Sequence, residues 1–152
     1  MMTDKELLER YPWLRRCSLY RRDEILEGTM LDDMPDGWRA AFGEEMCEEI
    51  NNELLTWDKV SLEDFHIAQI KEKWGALRFY VSHGSKKLYE IIDKYEQMSR
   101  FICIDCGAPA TKMSCHWISP YCDACAEKMN GRRWGNERFV PIDQYYKKGK
   151  DE

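Results

Sequence analysis

The sequence predicts an α+β fold in which helices pack on a β-hairpin and a C-terminal cysteine module follows. Three observations support this fold class. Apolar residues recur at helical spacing over 38–57 and 85–100, two segments of high β-propensity lie between those helices, and two Cys-x-x-Cys pairs lie near the C-terminus. We expect an α+β body over residues 1–101 and a cysteine module with a basic tail over 102–152, forming one compact unit.

The composition indicates a folded protein. The chain has 152 residues, of which 43% are hydrophobic, and it contains six Trp; disordered chains have few aromatic residues. No segment approaches the roughly 18 apolar residues of a membrane span. The charged N-terminal segment has no apolar stretch typical of secretion, so we expect a cytoplasmic protein without membrane contact. Because thiols stay reduced there, its seven cysteines are better metal ligands than disulfide partners.

The helices are predicted from caps and periodicity. Thr3 or Asp4 is expected to cap a first helix that ends at Arg10. The strongest helix is expected over 38–57, with its charged side formed by glutamates. Its apolar positions are Phe42, Met46, Cys47, Ile50 and Leu54. A third helix is expected to open at Gly84 and Ser85 and to extend to about residue 100.

The strands are predicted over 65–71 and 77–82, where β-branched and aromatic residues alternate. Gly75 is the one glycine between them, so an antiparallel hairpin is expected. Phe79 and Val81 should share one face, and Tyr80 should lie on the other. In the tail, aromatic residues predict packing against the body: Trp134, Phe139, Tyr145 and Tyr146.

Four cysteines follow the spacing Cys-x2-Cys-x15-Cys-x2-Cys: Cys103, Cys106, Cys122 and Cys125. Each Cys-x-x-Cys turn aims two sulfurs at one point, and two such turns complete a thiolate tetrahedron around Zn²⁺. A redox pair of the thioredoxin kind is the alternative, but two pairs without a βαβ pattern favour a metal. The sequence therefore predicts one structural zinc ion.

The second cysteine pair is predicted to open a short helix. Ser119 fits the N-cap and Pro120 the first helical position, so Cys122 and Cys125 are expected in the first turns. A knuckle, connecting strands and a helix with the last two ligands form the order of a treble-clef zinc module. Cys115 or His116 can replace one ligand, although a buried role or a role beside the site is the expectation.

An acidic helix surface is the first candidate binding site. Residues 23–64 contain 14 acidic and two basic side chains. Glutamates of the 38–57 helix are expected to face outward and to bind a basic protein surface: Glu44, Glu45, Glu48 and Glu49. The alternative is a solvated face that keeps the protein soluble.

A basic and aromatic loop beside the last cysteine pair is the second candidate. Its residues are Arg132, Arg133, Trp134 and Arg138. Arginine with aromatic residues can form a protein hot spot or hold phosphates and stack bases. An ordinary packed loop with solvated arginines is the alternative.

Several segments resemble, in the same order, a family of small uncharacterised proteins of bacteriophages and bacterial genomes. They are LLERYPWLRR, DGW with MCEEI, QIKEKWGALRFYV, CIDCGAPA and YCDAC, over about residues 7–125. Family members more often have Phe-Gly-Gly where this chain has Trp74, Gly75 and Ala76. The resemblance implies a zinc-knuckle architecture and a mobile-element setting, and it implies no catalytic residue.

These observations predict a non-enzymatic zinc-containing module that binds a protein partner, as a phage-encoded adaptor or inhibitor of a host protein does in the host cytoplasm. A nucleic-acid-binding zinc protein is one alternative, but a net charge of −5 disfavours it. A nuclease of the HNH type is another. Its metal-binding helix needs a histidine, and the corresponding segment here, DACAEKMN, has none.

Overall fold

A computed structural model describes residues 1–17, 20–21, 24–130 and 137–150. Helix α1 (Asp4–Arg10) begins after Thr3, whose hydroxyl accepts a hydrogen bond from the Glu6 N–H. The Glu6 carboxylate in turn accepts from the Thr3 N–H at 2.7 Å. This reciprocal pair is a capping box, and it confirms the predicted start of the first helix.

The next elements are short. A 3-10 helix (Pro12–Leu14) leads into strand β1 (Arg15–Cys17), which pairs with the antiparallel strand β2 (Ile25–Thr29). A second 3-10 helix (Met30–Asp33) then carries the chain toward the central helix.

The central helix is continuous but changes its winding. It comprises α2 (Asp36–Trp38), a π-helical segment (Arg39–Gly43) and α3 (Glu44–Leu54). All five predicted apolar positions are buried, as the helical spacing indicates: Phe42, Met46, Cys47, Ile50 and Leu54. The segment ends three residues before the predicted end, and α4 (Lys59–Asp64) follows after an Asp58 cap.

The predicted hairpin is present. Strand β3 (Ile67–Lys73) pairs with the antiparallel strand β4 (Ala76–Val81) through a two-residue turn. Trp74 and Gly75 have φ values of +56° and +78°, as the right-handed twist of a tight hairpin favours. Phe79 is buried and Tyr80 is 43% exposed, which confirms the predicted alternation.

Helix α5 (Lys86–Ser99) covers the edge of β4. Its Ser85 cap accepts from the Leu88 N–H, as predicted. Ser99 Oγ accepts from the Leu77 N–H at 2.8 Å, and the Glu96 carboxylate accepts from the Phe79 N–H at 3.0 Å. The helix therefore satisfies backbone donors that an open sheet edge leaves unpaired.

A small sheet and two helices form the C-terminal part. Strand β5 (Lys112–Ser114) lies between β6 (Pro120–Tyr121) and β7 (Phe139–Pro141), both antiparallel to it. The helices are α6 (Asp123–Asn130) and α7 (Ile142–Lys150).

The tail packs back on the body, as predicted for its aromatic residues. Phe139 contacts Tyr121, and Tyr146 lies 5.0 Å from Phe101 between ring centroids. The predicted contact of Trp134 lies outside the described residues. None of the helices in the described ranges combines the length and apolar character needed to cross a bilayer.

The start of the central helix joins the body to the cysteine module. The Gly37 N–H donates to the Ile104 carbonyl at 2.8 Å, and the Trp38 indole donates to the Ile102 carbonyl at 2.9 Å. A Cβ atom at Gly37 would lie 2.2 Å from the Cys103 carbonyl oxygen. The two parts of the chain therefore meet at a backbone-to-backbone contact that only glycine permits.

Candidate metal centre

The four predicted cysteines converge on one point. Their sulfur atoms all lie within 4.8 Å of one another, and the sulfurs of Cys106 and Cys122 are 3.6 Å apart. Tetrahedral coordination at about 2.3 Å from a metal separates two sulfurs by about 3.8 Å. The arrangement fits a metal ion at its centre.

A tight turn shapes the first cysteine pair. The Cys103 N–H donates to the Ala108 carbonyl at 2.7 Å, and the Gly107 N–H donates to the Cys103 carbonyl at 3.0 Å. Gly107 has a φ of +83°, and a Cβ atom there would lie 2.7 Å from the Gly37 carbonyl oxygen. Glycine is needed at this position for both its backbone conformation and the close packing.

The second pair lies at the start of α6, but the helix begins later than predicted. Ser119 is not its N-cap and Pro120 is not its first residue, because Pro120 and Tyr121 form strand β6 against β5. Ser119 is instead buried, and its N–H donates to Ser114 Oγ at 2.9 Å. The sheet pairing holds this segment extended up to Tyr121.

Cys122 therefore takes the capping position of α6. The Cys125 N–H donates to Cys122 Sγ at 3.4 Å. This hydrogen bond lowers the pKa of the Cys122 thiol to about 7, since it stabilises the thiolate more than the thiol. A thiolate is the form that binds a metal.

The two remaining donors between the pairs lie on the exposed loop after β5. Cys115 and His116 both have their backbone N–H groups bound by the Glu137 carboxylate, at 2.7 and 2.6 Å. Neither belongs to the four-sulfur group. Sequence reasoning missed Glu137, because it is 21 or more residues from its partners and no local pattern marks it.

The acidic helix differs from the expected outward-facing surface. Glu45 is exposed. Glu44 accepts from the Met2 N–H at 2.5 Å. Glu48 accepts from the buried Tyr11 hydroxyl at 2.5 Å and pairs with Arg10 at 3.0 Å.

Glu49 is bound in the same way. It pairs with Lys94 at 2.6 Å and accepts from the Tyr95 hydroxyl. The side chains of Glu48 and Glu49 stay 42% and 36% exposed. Glu44, Glu48 and Glu49 nevertheless each bind a partner within the chain, so the four glutamates do not form the free acidic surface that was expected.

The predicted basic loop is described only at its end. Arg132, Arg133 and Trp134 lie outside the described residues. Arg138 is exposed, and its carbonyl accepts from the Cys115 N–H at 2.8 Å.

Two exposed tryptophans lie where the hairpin meets the cysteine module. A Cβ atom at Gly75 would contact the Met113 and Ile118 side chains at 3.0 and 3.2 Å. Trp74 precedes Gly75 and Trp117 precedes Ile118; their exposed fractions are 68% and 71%. The sequence places both near turns, but the approach of their neighbours Gly75 and Ile118 depends on tertiary packing.

Comparison of the chain with protein-family models, with curated proteins and with solved structures gives no match.

Proposed function

We propose that the four cysteines bind one structural zinc ion and that the protein acts by binding another protein, without catalysing a reaction. Thiolates are soft ligands that select zinc over magnesium or calcium. Four protein ligands fill a tetrahedral zinc site and leave no position for an activated water. The zinc chemistry assigned here is therefore structural.

The order of elements supports a treble-clef assignment for this module. The Cys103–Cys106 turn comes first, β5 and β6 follow, and α6 carries the last ligand. Such modules are too small to fold on a hydrophobic core alone, and structural zinc supplies about 10–16 kcal/mol. The metal thereby holds the loop that carries Trp117.

The observation that carries the binding role is the pair of exposed indoles at the joint. Trp74 and Trp117 belong to different parts of the fold, and the contact of Gly75 with Ile118 brings those parts together. Large aromatic side chains dominate the energy of protein interfaces. A zinc-held joint presents both indoles on an ordered backbone, which lowers the ordering cost on binding.

The backbone conformation of Trp74 is a second observation that supports a binding role. A bulky residue with φ of +56° is an outlier, because the left-handed region costs a residue with a Cβ roughly 1–2 kcal/mol. Strained residues of this kind cluster at binding and active sites. With the phage-family resemblance, this supports an adaptor or inhibitor that acts on a host protein.

Affinity capture from a bacterial host lysate tests the proposal. The zinc-loaded chain is compared with a Trp74→Ser, Trp117→Ser double variant and with Tyr89→Ser as the control. Tyr89 is an aromatic residue, 51% exposed, near the start of α5. We expect the double variant alone to lose a protein retained by the wild type. Equal retention by all three chains would refute the proposed surface.

A further inference from the structure

The β3–β4 hairpin turns one face away from the core. Ile70 lies opposite Phe79, and both are buried, so they mark the inner face. Side chains alternate along a strand, so the register assigns six residues to the opposite, outer face. Ala76 is buried, and the other five are exposed or half-buried: Gln69, Lys71, Lys73, Arg78 and Tyr80. This outer face carries three cations and no carboxylate.

Several cations elsewhere in the fold are neutralised within the chain, whereas those of the outer face are not neutralised by any residue that the structure describes. Arg10, Arg16, Arg39 and Lys94 each pair with a carboxylate of the chain. Within the described ranges, the three hairpin cations form no ion pair. Two acids lie beside this face, and both bind backbone donors: Glu72 accepts from the Gly75 N–H, and Glu96 accepts from the Phe79 N–H.

Aromatic side chains flank these cations. Lys71 Nζ lies 5.8 Å from the ring centroid of Tyr80, and Lys71 is directly opposite Arg78. Trp74 follows Lys73 at the turn. The face therefore offers charge to an anion and two aromatic surfaces to an apolar group.

The surroundings of the face favour an acidic polypeptide over a polynucleotide as its anionic partner. A strand of seven residues is about 24 Å long. At the end away from Trp74, the chain leads back to the exposed residues Glu63 and Asp64. A polynucleotide carries a charge at every nucleotide, so a strand that continued past this end of the face would meet acidic side chains. A polypeptide can restrict its carboxylates to the few positions opposite the cations.

We infer that the outer face of the hairpin binds an acidic polypeptide segment, whose carboxylates contact Lys71, Lys73 and Arg78 and whose apolar side chains pack on Trp74 and Tyr80. The inference rests on the proposed protein-binding function and specifies its partner. Arginine can hold a carboxylate by two parallel hydrogen bonds.

Selection from a random-sequence peptide library on the zinc-loaded full chain tests this inference. A selected peptide is then titrated against a Lys71→Glu, Lys73→Glu, Arg78→Glu variant. The control variant, Lys5→Glu, Lys86→Glu, Lys87→Glu, changes the net charge equally at exposed positions on other elements. A labelled oligothymidylate serves as the polynucleotide probe.

We expect selected peptides enriched in Asp and Glu, with affinity about tenfold or more weaker for the hairpin variant and nearly unchanged for the control. Peptides without acidic enrichment, or equal losses in both variants, overturn the inference while leaving the protein-binding proposal intact. Tighter binding of oligothymidylate than of any peptide also overturns it. Failure to select any peptide also overturns the inference, whereas the capture experiment with the Trp74 and Trp117 variant tests protein binding separately.

Discussion

The indole N–H of Trp38 donates to the carbonyl of Ile102 at 2.9 Å, one residue before the first predicted zinc ligand. One residue after that ligand, the Ile104 carbonyl accepts from the Gly37 N–H at 2.8 Å. The central helix therefore holds the backbone on both sides of Cys103. Because of this contact, disturbance of the metal site should extend into the body, and disturbance of the helix start should weaken metal retention.

Gly37→Ala tests this coupling. Its Cβ would lie 2.2 and 2.5 Å from two backbone carbonyl oxygens, which cannot move away as side chains do. We expect a loss of at least about 1–3 kcal/mol in the free energy of unfolding, together with faster zinc transfer to a chelator. Urea denaturation and a colorimetric chelator measure the two effects.

Gly43→Ala is the matched control. Its Cβ would meet only the flexible Arg39 side chain closely, at 3.2 Å from Cγ, and alanine is favoured over glycine in a helix by roughly 0.5–1 kcal/mol. We expect unchanged zinc transfer and equal or higher stability. Similar behaviour of the two variants would refute the special role of Gly37.

Replacement of Trp74 should separate stability from binding. Trp74→Asn places a residue that tolerates the left-handed region at φ of +56°. Because Trp74 is 68% exposed, little burial is lost, and we expect a gain of about 1 kcal/mol in the free energy of unfolding. Partner binding should nevertheless weaken. A less stable variant that binds normally would show that Trp74 supports the fold.

The covered edge of β4 depends on Ser99. Ser99→Ala leaves the buried Leu77 N–H without the acceptor that now lies 2.8 Å away, and such a loss costs about 1–3 kcal/mol. Ser61→Ala, which removes an exposed hydroxyl bound to Asp58, should cost within about 0.5 kcal/mol. Thermal unfolding compares them; equal effects would mean that the edge does not depend on Ser99.

The hydrogen-bonded glutamates Glu48 and Glu49 predict a dependence of stability on pH. Hydrogen bonds from Tyr11 and Arg10 lower the pKa of Glu48. Burial opposes ionisation of Glu49, but hydrogen bonds from Lys94 and Tyr95 outweigh it and lower its pKa. A lowered folded-state pKa stabilises the fold above the ordinary value of 4.5, and that stabilisation is lost as pH falls through the lowered value.

Glu48→Gln and Glu49→Gln should therefore be less stable than the wild type at neutral pH, and the difference should shrink in acid below about pH 4.5. Acid release of zinc affects all chains alike, so the difference between chains isolates the carboxylates. Glu45→Gln, at an exposed position, is the control. Urea denaturation across pH measures the effect, and a difference that grows in acid would contradict the assignment.

Local signals in the sequence were sufficient for several elements. The Thr3 capping box, the Ser85 cap and the glycine of the β3–β4 turn involve residues close in the chain, and the structure confirms all three. The two cysteine pairs also converge as their spacing predicts. Caps, turns and ligand spacing are determined over a few residues.

Interactions between residues that are far apart in the sequence could not be predicted from these local signals. Glu48 and Tyr11 are 37 residues apart, so helical periodicity assigns Glu48 to the solvent side although the fold provides a partner. Pro120 suits the first turn of a helix, but pairing with β5 holds it in a strand. Sequence periodicity describes an element alone, whereas these outcomes depend on what packs against it.

The zinc content of the purified chain tests the central claim most directly. Elemental analysis of protein prepared without chelator should find one zinc per wild-type chain and an equal amount in Cys17→Ser, since Cys17 is exposed and outside the four-sulfur group. Cys106→Ser should lose the metal and unfold the C-terminal module, because the zinc contribution of about 10–16 kcal/mol is comparable to a typical domain stability of about 5–15 kcal/mol. A well-folded wild-type chain without zinc would contradict the account.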